Sequence, residues 1–219
     1  MVNILFDCPN IEDFTEELAK YFKKVDRVAV VAFSFYDDYV YDAESWERVF
    51  GMGGNCYAET VDGLAPFGIT PDNISFINYF TDTRESAKQK IKDADVIYFT
   101  GGLPDKMMER IKEFDLADTL LSHKGVVFGY SAGAVIQLNE YHLYPDGDYK
   151  DYGYYEGLPY LSGFYHEVHY EHKPEQDESI RRVLRERGKT VYVSHTRSGG
   201  IVIENGEITT IGRVDIYKP

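Results

Sequence analysis

The chain has 219 residues, 43% of them hydrophobic, and a formal net charge of -14. That length and apolar content suffice for one α/β domain with a sizeable core, while the acidic surplus argues against nucleic acid and anionic membranes as partners. Two cysteines, Cys8 and Cys56, are too few for a disulfide framework, and with no Cys-x-x-Cys pair to hold a metal the chain is expected in a reducing cytoplasm.

The amino terminus carries a short apolar run that meets Asp7 and has no basic flank. It reads as a buried strand over 2–6 and not as a signal peptide, and no later segment is long enough to span a bilayer. Asn10 can cap a helix in which Phe14, Leu18 and Tyr21/Phe22 recur at helical spacing. Residues 27–33 are a second continuous apolar run, as expected of a strand covered on both faces. From 34 to 71 the pattern is less regular, with one helix over 43–50 and then a glycine-rich stretch, 51–55. That stretch does not follow a strand and lacks the Lys-Ser/Thr ending of a phosphate-binding loop, so it reads as a turn.

A third strand is expected over 73–79, a polar-faced helix over 83–92 and a fourth strand over 95–100, which runs into Gly101-Gly102-Leu103-Pro104. Glycines at the carboxyl end of a central strand let the backbone approach a ligand closely, and the proline suits the first turn of a helix. A crossover helix over 107–114 leads to the strand 125–128 and then to Gly129-Tyr130-Ser131-Ala132-Gly133-Ala134. Ser131 thus sits where a buried strand turns into a helix over 132–138, the setting of a nucleophile elbow, and the helix points free N–H groups at whatever the serine attacks. By itself the hexapeptide is equally a glycine-rich turn with an ordinary serine cap. Repeated strand-helix-strand units, however, imply a mostly parallel sheet with helices on both faces. Ligands then collect beyond the carboxyl ends of the strands, where Gly101-Gly102 and Ser131 both fall.

Residues 141–170 are crowded with tyrosines among Asp, Gly and Pro, which reads as loops packed over an opening. With no repeat and no charge block, residues 1–219 are expected to form a single domain. A strand over 164–170, a helix over 175–187 and strands over 190–193, 200–203 and 207–211 complete the chain, the last two flanking a hairpin at Glu204-Asn205-Gly206. His166, His169 and His172 stand at spacing three, unlike His-Glu-x-x-His, and on a strand His169 would face away from the other two, so no metal is assigned. The segment is the natural source of a general base. His166 and His172 are taken as solvated surface histidines.

Phe99-Thr100-Gly101-Gly102, the Ser131 elbow, Glu156-Gly157-Leu158 and Val168-His169-Tyr170 together resemble the dipeptidase E and cyanophycinase group of serine peptidases, from residue 73 onward. The resemblance implies a three-layer, flavodoxin-like sheet related to the class I glutamine amidotransferase fold. It also implies Ser131 as nucleophile, His169 as base and the N–H groups of Gly102 and Ala132 as an oxyanion hole. Two positions depart from the group. Its histidine is oriented by an acid on the turn after the strand corresponding to 191–193, but here that turn reads Ser194-His195-Thr196-Arg197-Ser198-Gly199, without a carboxylate. Glu171, in a His-x-Glu arrangement like that of class I amidotransferases and on the same side of a strand as His169, becomes the candidate orienter. Gln176 stands where dipeptidase E carries an arginine associated with acidic substrates, so a preference for an N-terminal aspartate is not expected.

The reading is a serine hydrolase that cleaves small peptides or related amides through an acyl-enzyme, without a cofactor, as a monomer or homodimer. The alternative is a noncatalytic relative that binds a small ligand or partner beside Ser131, and the missing acid is what favours it.

Overall fold

Continuous apolar runs require strands covered on both faces, and the computed structural model, which describes residues 1–24 and 26–219, provides that cover. In chain order come β1 (Val2–Phe6), α1 (Thr15–Leu18), β2 (Val28–Val31), α2 (Ala43–Phe50), α3 (Asn55–Leu64) and β3 (Ile74–Ile77). They are followed by α4 (Arg84–Asp93), β4 (Val96–Phe99), α5 (Pro104–Glu113), α6 (Ala117–Ser122), β5 (Val126–Tyr130) and α7 (Ala132–Val135). The last third holds β6 (Glu140–Leu143), β7 (Gly153–Glu156), β8 (Phe164–Tyr170), α8 (Pro174–Arg187), β9 (Thr190–Glu204) and β10 (Glu207–Tyr217).

One sheet runs in the order β10-β9-β1-β5-β4-β2-β3, with β8 also paired to β9. β1, β5, β4, β2 and β3 are parallel, β9 lies antiparallel to β1 and β10, and β8 is parallel to β9. This is the expected three-layer α/β fold with a mostly parallel sheet and a C-terminal hairpin. Successive residues of a strand face opposite ways, and the core divides accordingly. Val30, Tyr98 and Phe128 pack with Leu18, Trp46 and Leu64 on one face, while Val31, Phe99 and Val127 pack with Ile91, Met107 and Leu120 on the other.

The departures from sequence expectation have local causes. Asn10 makes no cap: its amide donates to Asp13 Oδ2 (2.9 Å) and to the Arg197 carbonyl (3.3 Å), and only a 3₁₀ turn, Ile11–Phe14, and the single turn of α1 follow. α3 was hidden because its buried face, Thr60, Gly63 and Leu64, is barely apolar. The strands expected at 190–193 and 200–203 are one strand, β9, which changes partner from β8 to β1 along its length. Part of the tyrosine-rich region is the β6–β7 hairpin, where Tyr141 stacks on Tyr155 at 5.7 Å. Among the described residues no helix is long and apolar enough to cross a membrane.

Candidate active site

Ser131 follows β5 directly, with φ 52° and ψ -118°. A non-glycine residue held there costs about 1–3 kcal/mol, so the conformation persists only where its surroundings impose it. Here the Ser131 N–H donates to the Phe6 carbonyl at the end of β1 (3.0 Å), and the Ser131 carbonyl accepts from the N–H groups of Ala134 (3.0 Å) and Val135 (3.2 Å). The bend also needs Gly133, because a Cβ there would run into the backbone carbonyl of Phe99 on β4. The helix expected over 132–138 is a single turn, α7.

His169 reaches Ser131 because β8 is bulged. Glu167 pairs with Val193 and Tyr170 with His195, so β8 spends one more residue than β9 between those pairs, and His169 takes φ 55°. The imidazole Nε2 then lies 2.9 Å from Ser131 Oγ. Gln176, 1% exposed, staples the bulge: its amide donates to the His169 carbonyl (2.8 Å) and to Tyr144 Oη (3.0 Å), and its Oε1 accepts from Glu171 N–H (2.8 Å). Gln176 thus holds the backbone that presents the His169 imidazole. Burial lowers the pKa of His169, and the negative charges of Asp7 and Glu171 offset part of that. The imidazole is therefore a neutral acceptor at pH 7.

His172 is exposed, as expected, but His166 is not. It is 2% exposed, its Nε2 lies 2.8 Å from Ser194 Oγ, and burial, aided by nearby His142 and His169, pushes its pKa down to about 3. Its neighbour Glu167 is also 2% exposed and is hydrogen-bonded to His142 Nε2 at 2.6 Å. Burial raises the Glu167 carboxyl above the ordinary range, while the His142 bond opposes this.

Glu171 is not brought to His169. Its carboxylate pairs with Lys173 at 2.8 Å, accepts from Thr196 Oγ1 at 3.3 Å and is 47% exposed. The strand turns out of register at the bulge, so the shared face assumed for His169 and Glu171 does not exist. The carboxylate beside the imidazole belongs to Asp7, at the carboxyl end of β1. It is fully buried, 4.0 Å from His169 Nδ1, and accepts from the backbone N–H groups of Arg197 (2.5 Å) and Gly199 (3.3 Å). The 194–199 segment, which lacks an acid of its own, supplies the donors that fix this one. Arg197 acts through its backbone N–H.

Cys8 Sγ lies 3.7 Å from the same Nδ1, and burial, with the Asp7 charge second, pushes the thiol up to about 11. If Ser131 donates to Nε2, the ring proton sits on Nδ1 and faces the corner formed by Asp7 and Cys8. Asp7, Cys8 and His169 also offer three metal-ligand atoms within 4.8 Å of one another. Such use would require a thiolate and an unprotonated Nδ1, which the raised thiol pKa and the Ser131 bond both disfavour. Sequence reading missed Asp7, although an acid directly after a central strand, at the edge where ligands collect, was a usable signal.

Gly102, Ser131, Ala132 and His169 border one cavity of ≈ 360 Å³. A cavity of ≈ 450 Å³ lies at the amino-terminal ends of the strands, beside Asp95 and His123, on the wrong edge for Ser131. Gly102 has φ 133° and rests against Ser34, whose carbonyl accepts from Leu103 N–H at 2.7 Å. Arg110, 4% exposed, donates to the carbonyls of Phe33 (2.6 Å) and Phe35 (2.8 Å) and pairs with Asp37 (2.6 Å). It thereby fixes the loop that carries Tyr36 to the cavity mouth.

Residues 53–211 match the sequence model of peptidase family S51. A solved structure of a candidate peptidase E from Listeria monocytogenes EGD-e superposes with a TM-score of 0.68 at 17% identity, covering 97% of this chain and 98% of that one. A peptidase from an acI-B1 Actinobacterium superposes with a TM-score of 0.65 at 14% identity, covering 99% of this chain and 89% of that one. At such identities the likeness concerns the fold. No curated protein matches the chain in sequence.

Proposed function

Since the chain belongs to peptidase family S51, we propose that it is a serine-type peptidase that cleaves small peptides or related amides at Ser131. The observation that carries the proposal is the 2.9 Å contact between Ser131 Oγ and His169 Nε2, made by two residues each held at positive φ. Ser131 Oγ attacks the scissile carbonyl carbon while its proton passes to Nε2. The carbonyl oxygen becomes an oxyanion that the N–H groups of Gly102 and Ala132 would hold, each such donor lowering the barrier by about 3–4 kcal/mol. Collapse of the intermediate breaks the C–N bond, and Nε2 returns the proton to the departing amine. Water, deprotonated by the same nitrogen, then releases the acid and restores the serine.

Asp7 is the positioning residue in this scheme. Its charge keeps the Nδ1 proton facing inward and stabilises the imidazolium that forms. A carboxylate at that place supports the catalytic reading over a noncatalytic binder, for which the acid-free turn at 194–199 was the reason. Wild-type protein should be labelled by a fluorophosphonate probe and Ser131→Ala should not. An unlabelled wild type, under conditions that label a known serine peptidase, would contradict the proposal.

A further inference from the structure

The cavity beside Ser131 has a strongly one-sided charge. Asp146, Asp148 and Glu167 line it, and among the described residues lining it none is Lys or Arg. An acidic cluster alone says little, but Glu167 is no ordinary surface acid. It is 2% exposed, one oxygen is bound to His142, and the other, Oε1, is buried with no hydrogen-bond partner among the described residues. A buried carboxylate oxygen left bare costs free energy unless something arrives to use it.

The remaining walls are shaped for the same visitor. Asp146 Oδ1 is occupied by the N–H groups of Asp148 and Tyr149, both at 2.8 Å. Tyr36 Oη donates to Asp148 Oδ2 (2.7 Å) and Tyr149 Oη to Asp105 Oδ1 (2.7 Å). Tyr36 and Tyr149 both line the cavity, and the carboxylates that their hydroxyls engage keep negative charge beside it.

We propose that this cavity is a specificity pocket for a cationic group of the substrate, an ammonium or guanidinium held by Glu167, Asp146 and Asp148 next to Ser131. The cation is either the free amino terminus of a short peptide or a Lys or Arg side chain beside the scissile bond. Turnover of such a peptide rests on the serine-peptidase reading; its binding does not. Acidic peptides are excluded by the same three carboxylates.

The test is calorimetric titration of Ser131→Ala protein with four tripeptide amides. Acetyl-Ala-Lys-Ala carries its cation on the side chain, uncapped Ala-Leu-Ala on the terminus, acetyl-Ala-Leu-Ala is neutral and acetyl-Ala-Glu-Ala is anionic. At least one cationic peptide should bind roughly tenfold or more tighter than the neutral and anionic ones, with the margin shrinking as salt is added. The stronger of the two identifies the source of the cation. Asp146→Asn with Asp148→Asn, two exposed changes that leave the core intact, should reduce the margin, and Glu167→Gln should reduce it further. Equal or tighter binding of the neutral or anionic peptide, or no binding of either cationic peptide at millimolar concentration, overturns the assignment. Fluorophosphonate labelling of wild type is read separately. Intact labelling without cation preference sinks the pocket alone, whereas cation preference without labelling sinks the peptidase reading alone.

Discussion

Asp7→Asn removes one charge from a buried site and changes almost no volume, which makes it the sharpest test of how His169 is held. At 4.0 Å a carboxylate and an imidazolium attract by about 1 kcal/mol with water-like screening and about 4 kcal/mol with the screening typical near a protein surface. Asp7 is fully buried while the imidazole is 40% exposed, so the pair lies between these limits. A middle value of about 2 kcal/mol corresponds to roughly a thirtyfold slower reaction. That is less than the roughly 10⁴-fold loss expected when a directly hydrogen-bonded triad acid is removed. The assay is the rate of fluorophosphonate labelling against pH. The substitution also leaves Arg197 N–H or Gly199 N–H short of an acceptor, at about 1–3 kcal/mol of stability, so labelling is measured well below the melting temperature.

The pH profile separates a charge effect from loosening. The base must be neutral to accept the serine proton, so labelling fails as pH drops through the His169 pKa, which burial places below the ordinary 6.5 while Asp7 raises it. Without Asp7 the acid limb moves further down. A site that merely loosened would rehydrate the ring and move the limb up. A labelling rate within twofold of wild type and an unshifted limb would refute the role given to Asp7.

Glu171→Gln should slow labelling by less than about threefold, because an exposed pair with Lys173 acts on the imidazole only at long range; a tenfold loss would restore Glu171 as the orienting group. His166 is neutral in the fold and protonates below pH 6.5 only when unfolded, since its folded pKa is about 3. Stability should therefore fall by up to about 1.4 kcal/mol per pH unit below 6.5 through this group, and urea unfolding of His166→Leu should show that much less slope between pH 6.5 and 5. Ser131→Gly should melt higher than Ser131→Ala, because glycine tolerates φ 52° and alanine does not; the reverse order would mean the elbow is unstrained.

The central sheet was readable because its strands are continuous apolar runs, and the elbow because its glycines and serine are adjacent in sequence. The rest of the site depends on pairs far apart in the chain. Asp7 is held by backbone donors 190 and 192 residues away, and nothing local to Asp7 announces them. Strict alternation along β8 predicts a regular strand with one wet face. In fact Tyr165 and Tyr170 pack with Ile180 and Val183 of α8, while His166 is buried against Ser194 on β9. The bulge that turns His169 appears only when β9 is laid alongside. Past the same bulge Glu171 is paired with Lys173 and Thr196.

Backbone strain ties these pieces together. Among the described residues six non-glycines have positive φ: Asp115, Ser131, His169, His172, Arg197 and Asn205. Asn205 belongs to the tight hairpin, where such a conformation is usual for asparagine. Ser131, His169 and Arg197 meet at the site: His169 Nε2 lies against Ser131 Oγ, and Arg197 N–H donates to Asp7. At about 1–3 kcal/mol each, they consume a sizeable share of the roughly 5–15 kcal/mol by which a domain is stable. That three strained residues, one just after β5 and one each on β8 and β9, converge around one hydroxyl favours a site under functional constraint. It also explains the stapling by Gln176, because a strained base stays aimed at Ser131 only while its carbonyl is held from behind.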